Sequence, residues 1–206
     1  MKRRKVRNLL GLAALSVLVS RPMHPYEMAT VMRARGKDAD MAIKWGSLYT
    51  VVANLEKHGL IEAAGSDRAG GRPERTTYRI TDAGRAELKD WTRELVATPE
   101  AEPRRFTAAL SVLAVLGPDE AVALLGDRLA ALREQIAARR ADLERDGADL
   151  PRLFLIEGEY ELAMREAEAA WTAALIEELA AGTFPGLKEW AAYHRTGEIP
   201  AGLADR

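Results

Sequence analysis

The segment LIEAAGSDRAGGRPERTTYRI, residues 60–80, restricts what this chain can fold into more than any other. "LIEAA" and "RTTYRI" are apolar or β-branched runs set around a turn rich in Gly and Arg, which is the pattern of a hairpin. Within "TYRIT", Tyr78 and Ile80 fall on one face and Arg79 on the other. The rest of the chain repeats at helical spacing, so the sheet is one hairpin. A two-stranded hairpin alone is marginal in water and has to lie against helices to persist.

The sequence around the hairpin supplies those helices. Val6–Ser20 is an apolar first helix ended by Arg21-Pro22, and Pro25–Ala34 is a second with Pro25 in its first turn, where a missing N–H costs little. A third runs from about Gly46 to His58, with Leu48, Val51, Val52 and Leu55 at helical spacing and Gly59 placed to end it. After the hairpin, Thr81 or Asp82 can cap a fourth helix through about Val96, with Leu88, Trp91 and Leu95 as its apolar stripe. Three helices, two strands and a further helix in that order make a winged helix-turn-helix.

"TPEAEP", residues 98–103, marks a boundary, and beyond it the chain reads as all helix. Leu125, Leu129, Leu132, Ile136 and Leu143 form one seam; Leu153, Ile156, Tyr160, Ala163, Ala167, Trp171 and Ala174 form another across "DGADLP". Two long helices with narrow seams fit an antiparallel hairpin that meets a partner chain, and they equally fit a bundle within one chain. The expected fold is mainly α, a winged helix-turn-helix over residues 1–98 and a helical domain over residues 99–206.

Charge separates the same two halves. Residues 1–98 carry 18 Lys and Arg against 11 Asp and Glu, whereas residues 99–206 carry 12 against 20. A basic front half joined to an acidic back half points a polyanion at the front. The chain has no cysteine and three histidines, none paired at metal-binding spacing, and no Gly loop lies between a strand and a helix. Disulfides, Cys-type zinc sites and thiol nucleophiles are thereby excluded, no nucleotide-binding loop is present, and no cofactor, metal or catalytic residue is expected. The opening "MKRRKVR" and the apolar run after it resemble a secretory signal, but the run of about 11 residues is too short to span a bilayer and the small-x-small cleavage site expected after it is poor, since "SRPMHP" follows directly. It reads as a basic arm before a buried helix, and the chain as cytoplasmic.

The polar side of the third helix then acquires a purpose. Ser47, Thr50, Asn54 and Lys57 lie opposite its apolar face at steps of 3, 4 and 3, with Tyr49 at the margin. Short polar side chains there reach base edges in a major groove, and Tyr49 can give its hydroxyl to phosphate. Arg68, Arg72 and Arg75 sit on the turn that Gly70-Gly71 lets bend, and Arg at a wing tip suits phosphate or a narrow minor groove. Lys44 and the arm from Lys2 to Arg7 add cations from two further segments.

"LLGLAALSVLVSRPMHPYEMATVM", "GSLYTVVANLEKHGLIE" and "GRPERTTYRITDAGRAEL" together resemble the PadR family of transcriptional regulators over about residues 6–90. The three blocks stand in the family's order and spacing; Pro25 departs from it, standing where Gly is common. MarR-like winged helices are the nearest confusable group. The resemblance implies a homodimeric regulator of double-stranded DNA, usually a repressor, released from its operator by a small aromatic or hydrophobic effector. It places Tyr26, Ser47, Tyr49, Thr50 and Asn54 in DNA-facing segments, and the acidic back half in the position of the family's dimerisation domain. Leu125, Leu129, Leu132, Ile136, Ile156, Tyr160 and Trp171 are the expected dimer contacts, and Trp91, Trp171, Trp190 and Tyr160 the candidates for an aromatic effector pocket. A winged helix serving as a protein-interaction adaptor without DNA is the alternative.

Overall fold

The structure is a computed structural model that describes residues 4–37, 41, 45–67, 75–99 and 105–197. The chain divides into two compact units, Met1–Ala101 and Glu102–Arg206.

In the first unit, helix α1 (Leu9–Leu18) is apolar on nearly every side and sits at the centre. Asn8 caps it by accepting from the Leu10 amide at 2.9 Å, so the helix starts three residues later than its hydrophobic run suggests. Helix α2 (Pro25–Ala34) begins at the expected proline, with His24 Nδ1 accepting from the Tyr26 amide at 3.1 Å. A 3-10 turn, Trp45–Ser47, leads into α3 (Leu48–Lys57), whose Leu48, Val51, Val52 and Leu55 are buried against α1 and α2. Gly59 ends α3 with φ of 69°, and the Gly59 and Leu60 amides return to the carbonyls of Glu56 and Leu55. That left-handed step is where a side chain would be strained, which is why glycine stands there.

Strands β1 (Ile61–Asp67) and β2 (Arg75–Ile80) pair antiparallel, Ile61 opposite Ile80 and Glu62 opposite Arg79, with a register shift between Ala63 and Gly65. The hairpin is tied down at its base. Met23 and Tyr78 exchange backbone hydrogen bonds of 3.0 Å, which adds a bridge from the α1–α2 connection to the edge of β2. Ile61 and Ile80 reach the helical core.

Helix α4 (Asp82–Ala97) is joined to the end of α3 by one residue: the Thr81 hydroxyl accepts from the Gly84 amide at 3.0 Å and donates to the Gly59 carbonyl at 2.7 Å. Gly84 is buried there, and a Cβ at that position would run into the Leu60 carbonyl oxygen and approach Ile80 Cγ1 to 2.8 Å. The Leu60 carbonyl is itself held by the Thr81 amide at 3.1 Å and has little room to move. Gly84→Ala is expected to cost about 1–3 kcal/mol of stability, read as a lowered thermal midpoint. Of the predicted α4 stripe, Trp91 is buried and Leu88 half-buried, but Leu95 is exposed near the helix end.

In the second unit, α5 (Arg105–Ser111) and a 3-10 turn at Leu113–Val115 precede two long helices, α6 (Pro118–Gly147) and α7 (Ile156–Ala180), which form an antiparallel hairpin. A last helix, α8 (Leu187–Thr196), was not expected from sequence. Trp190 Nε1 donates to the Leu116 carbonyl at 2.8 Å and the His194 ring sits 2.9 Å from the Ala114 carbonyl, so two side chains hold it to the turn before α6.

The hairpin's apolar core is thin: Leu129, Leu132 and Ala169, with Ile136, Ala173 and Ile176 beside them. Ion pairs supplement it, with Arg128 on Glu168, Arg139 on Glu161 and Arg140 on Glu166. Burial would push the Glu161 carboxyl up, but the hydrogen bonds and charges of Arg139 and Arg165 outweigh it and hold the group below its ordinary value. A carboxylate with a depressed folded pKa contributes above its unfolded value and loses that contribution as pH falls through the folded one. The thermal midpoint is therefore expected to drop on acidification from about pH 5 to pH 3, followed by circular dichroism.

The two predicted seams meet different fates. Leu125, Leu129 and Leu132 are buried and Ile136 half-buried within the single chain, so the first three are already covered before any partner arrives. The second seam lies on the outside: Leu153, Ile156, Tyr160, Ala163, Ala167, Trp171 and Ala174 are all exposed. The inner face of α7 is made instead by Gly158, Ala169, Thr172 and Leu179. Small residues let α6 approach closely; a Cβ at Gly158 would sit 2.9 Å from Leu143 Cδ2.

Candidate nucleic-acid interface

Burial of one face of α3 leaves the other exposed. Leu48, Val51, Val52 and Leu55 fix the helix against α1 and α2, which leaves Tyr49, Thr50, Asn54 and Lys57 exposed. Thr50, Asn54 and Lys57 follow one another at steps of four and three along a helix of ten residues, roughly 15 Å long. Tyr49, Thr50, Asn54 and Lys57 make no side-chain hydrogen bond or ion pair within the described residues. Ser47, at the helix entrance, is half-buried and does not cap α3 through its hydroxyl.

Helix α2 contributes Tyr26, in its first turn and 69% exposed; Tyr49 is 63% exposed. The entrance of α3 is fixed by a stacked pair: the Arg33 guanidinium, from the last turn of α2, lies 4.2 Å from the centre of the Trp45 ring. Sequence reasoning missed this pair, because only the fold brings the two residues together. Wing and helix are linked too: β2's Tyr78 has its hydroxyl pKa raised, first by burial and then by the neighbouring charge of Glu56 on α3.

Lys44 and Arg72 lie outside the described residues, as does Arg68. Arg75 opens β2, opposite Asp67. The basic arm departs from expectation at one residue. Arg4 does not project outward; its guanidinium is buried on α4, paired with Glu87 at 2.5 Å and with Glu94, and lies 5.5 Å from the centre of the Trp91 ring.

The aromatic residues considered for an effector pocket occupy separate settings. Trp91 lies under Arg4; Trp171 packs edge-on against Phe106 at 6.0 Å; Trp190 packs against Phe184 at 6.4 Å; and Tyr160 is exposed. Among the described residues, no helix is long and apolar enough to cross a membrane.

A three-helix core with a two-stranded wing, followed by a further helix, is a winged helix-turn-helix fold. Residues 14–90 match the Transcriptional regulator PadR-like family. Solved structures share the fold over most of their length. Bacillus subtilis PadR in complex with operator DNA is 19% identical, with a TM-score of 0.69 over 84% of this chain and 99% of that one. The same protein in complex with p-coumaric acid aligns at 19% identity and a TM-score of 0.68, over 84% and 99%. The Vibrio cholerae virulence activator AphA aligns at 22% and 0.59, over 84% and 98%. No curated protein matches.

Proposed function

We propose that this chain acts as a homodimer that reads a pseudo-palindromic operator through α3, represses from it, and leaves it when a small aromatic or hydrophobic effector binds. The observation that carries the reading is the outer face of α3, with Tyr49, Thr50, Asn54 and Lys57 exposed and committed to nothing else in the described residues. Thr50 and Asn54 would read base edges; Tyr26, Tyr49 and Lys57 would take phosphate, as would Lys44, Arg72 and Arg75. Ser47 belongs with the first group, at the end of the helix nearest the groove.

Dimerisation is assigned to residues 99–206 and DNA binding to residues 1–98. With Leu125, Leu129 and Leu132 covered inside the hairpin, Ile156, Tyr160 and Trp171 on the outer face of α7 are the contacts left for a second copy. Two such units would set their third helices about 34 Å apart, one turn of duplex. The effector part rests on the likeness to PadR bound to p-coumaric acid; an effector preferring a different angle between subunits would spoil that spacing. The reading fits a protein that works in the cytoplasm.

An electrophoretic shift on DNA from upstream of the chain's own coding sequence tests the whole. Binding should fall steeply as salt rises, with a slope near −0.9 per phosphate neutralised. A folded dimer that shifts no duplex at low salt would favour the adaptor reading instead.

A further inference from the structure

We infer that the N-terminal arm and the end of α3 form a second, preorganised phosphate site, which takes a phosphodiester of the DNA backbone away from the groove-reading face. The inference rests on the DNA-binding reading above and adds to it a contact surface that α3's polar face does not include.

Two observations carry it. The first is an open cleft of about 480 Å³ lined by Arg4, Lys5, Arg7 and His58. Every residue in that lining bears a cationic or imidazole group, and the Arg4 charge is taken up by Glu87 and Glu94. Lys5 and Arg7 are exposed and make no ion pair within the described residues, and His58 is half-buried at the C-cap of α3. The carbonyls of Asn54, Leu55 and Glu56 in the last turn of α3 are taken up by the amides of His58, Leu60 and Gly59, so they do not oppose an anion there. Lys and Arg side chains with a ring N–H from His58 supply the charge and donors that a phosphate group requires.

The second observation is what holds the arm in place. Arg4 is 6% exposed, bridged to Glu87 and Glu94 on α4 and laid against Trp91. Burial works against its cation, yet the two carboxylates outweigh burial and hold its pKa above the ordinary value. Among the described residues, its Nε and Glu94 Oε1 are buried without a hydrogen-bond partner. A flexible basic tail would lose conformational freedom on meeting a phosphate; an arm pinned at Arg4 has lost it on folding. Arg4 is thus a positioning residue, and Lys5, Arg7 and His58 make the contacts. The open mouth of the cleft suits a passing backbone better than a small metabolite, which is bound in enclosed sites.

The test is salt-dependent binding of the full-length protein, wild type against Lys5→Gln with Arg7→Gln, on one duplex that the wild type binds. Both residues are exposed, so folding is not at stake. The slope of log affinity against log salt should become shallower by about one per protomer, with the preference for the cognate duplex over a random one unchanged. Inorganic phosphate supplies the second arm: it should shift the His58 ring signals in proton NMR, the variant should lose that shift, and saturating DNA should suppress it. Wild-type binding with an unaltered slope in the variant overturns the inference and leaves the regulator reading standing. A phosphate shift that persists under saturating DNA overturns it too, since the cleft would then take a free anion. Failure of the wild type to bind any duplex ends both.

Discussion

A chain carrying Tyr160→Glu together with Ala167→Glu is expected to sediment as a monomer and to lose at least about 100-fold in DNA affinity at fixed salt. Both positions lie on the outer face of α7, in the stripe that runs from Ile156 through Tyr160, Ala163, Ala167 and Trp171 to Ala174. Tyr160 is 65% exposed and Ala167 is exposed as well, so neither change disturbs the hairpin. Trp171 is left alone because its ring packs against Phe106, where a change would confuse assembly with folding. A carboxylate forced into a dimer seam carries a desolvation cost of several kcal/mol. Monomers would hold one half-site each, and the gain from tethering two half-sites, commonly 10²–10⁴-fold, would go with the dimer. Sedimentation equilibrium together with the shift assay checks both parts. A variant that stays dimeric would move the interface off α7.

Asn54→Ala is the second large effect. The amide of Asn can bond adenine N6 and N7 together, and such a pair is worth roughly 1–3 kcal/mol of discrimination against the wrong base. In a dimer each half-site loses it once, so preference for the cognate duplex should fall by about 2–6 kcal/mol. Asn54 is exposed and uncommitted in the fold, so stability should change by less than about 0.5 kcal/mol. Competition between a cognate and a random duplex measures the loss directly. Equal losses on both would assign Asn54 to the phosphate backbone.

The sequence carried much of this in its local patterns. Leu48, Val51, Val52 and Leu55 recur at helical spacing, which is enough to place α3 and to know which side is buried. Gly59 and Thr81 mark the end of one helix and the start of another through backbone chemistry that acts over a few residues. What stayed hidden depends on distant partners. Arg4 looks like any cation of a basic arm until the fold brings Glu87 and Glu94 to it across more than 80 residues. Arg33 and Trp45 meet only once α2 and α3 are docked.

The seams of the second unit show a different limit. Helix α7 offers two apolar stripes, one with Tyr160 and Trp171 and one with Ala169, Thr172 and Ile176, and periodicity does not rank them. Packing does: Gly158, Ala169 and Thr172 turn toward α6, and Tyr160 and Trp171 stay outside with Ala163, Ala167 and Ala174. Helix α8 has no long stripe at all and is held by Trp190 and His194 to carbonyls more than 70 residues away.

Selection from a random pool of duplex DNA by the purified full-length protein tests the central claim, that α3 reads base edges, most directly. The wild type is expected to enrich an inverted repeat whose half-sites lie about one helical turn apart, and Asn54→Ala to bind the pool while enriching no repeat. Enrichment of the same repeat by Asn54→Ala, or of no sequence by a wild-type protein shown to be folded and dimeric, would contradict the account.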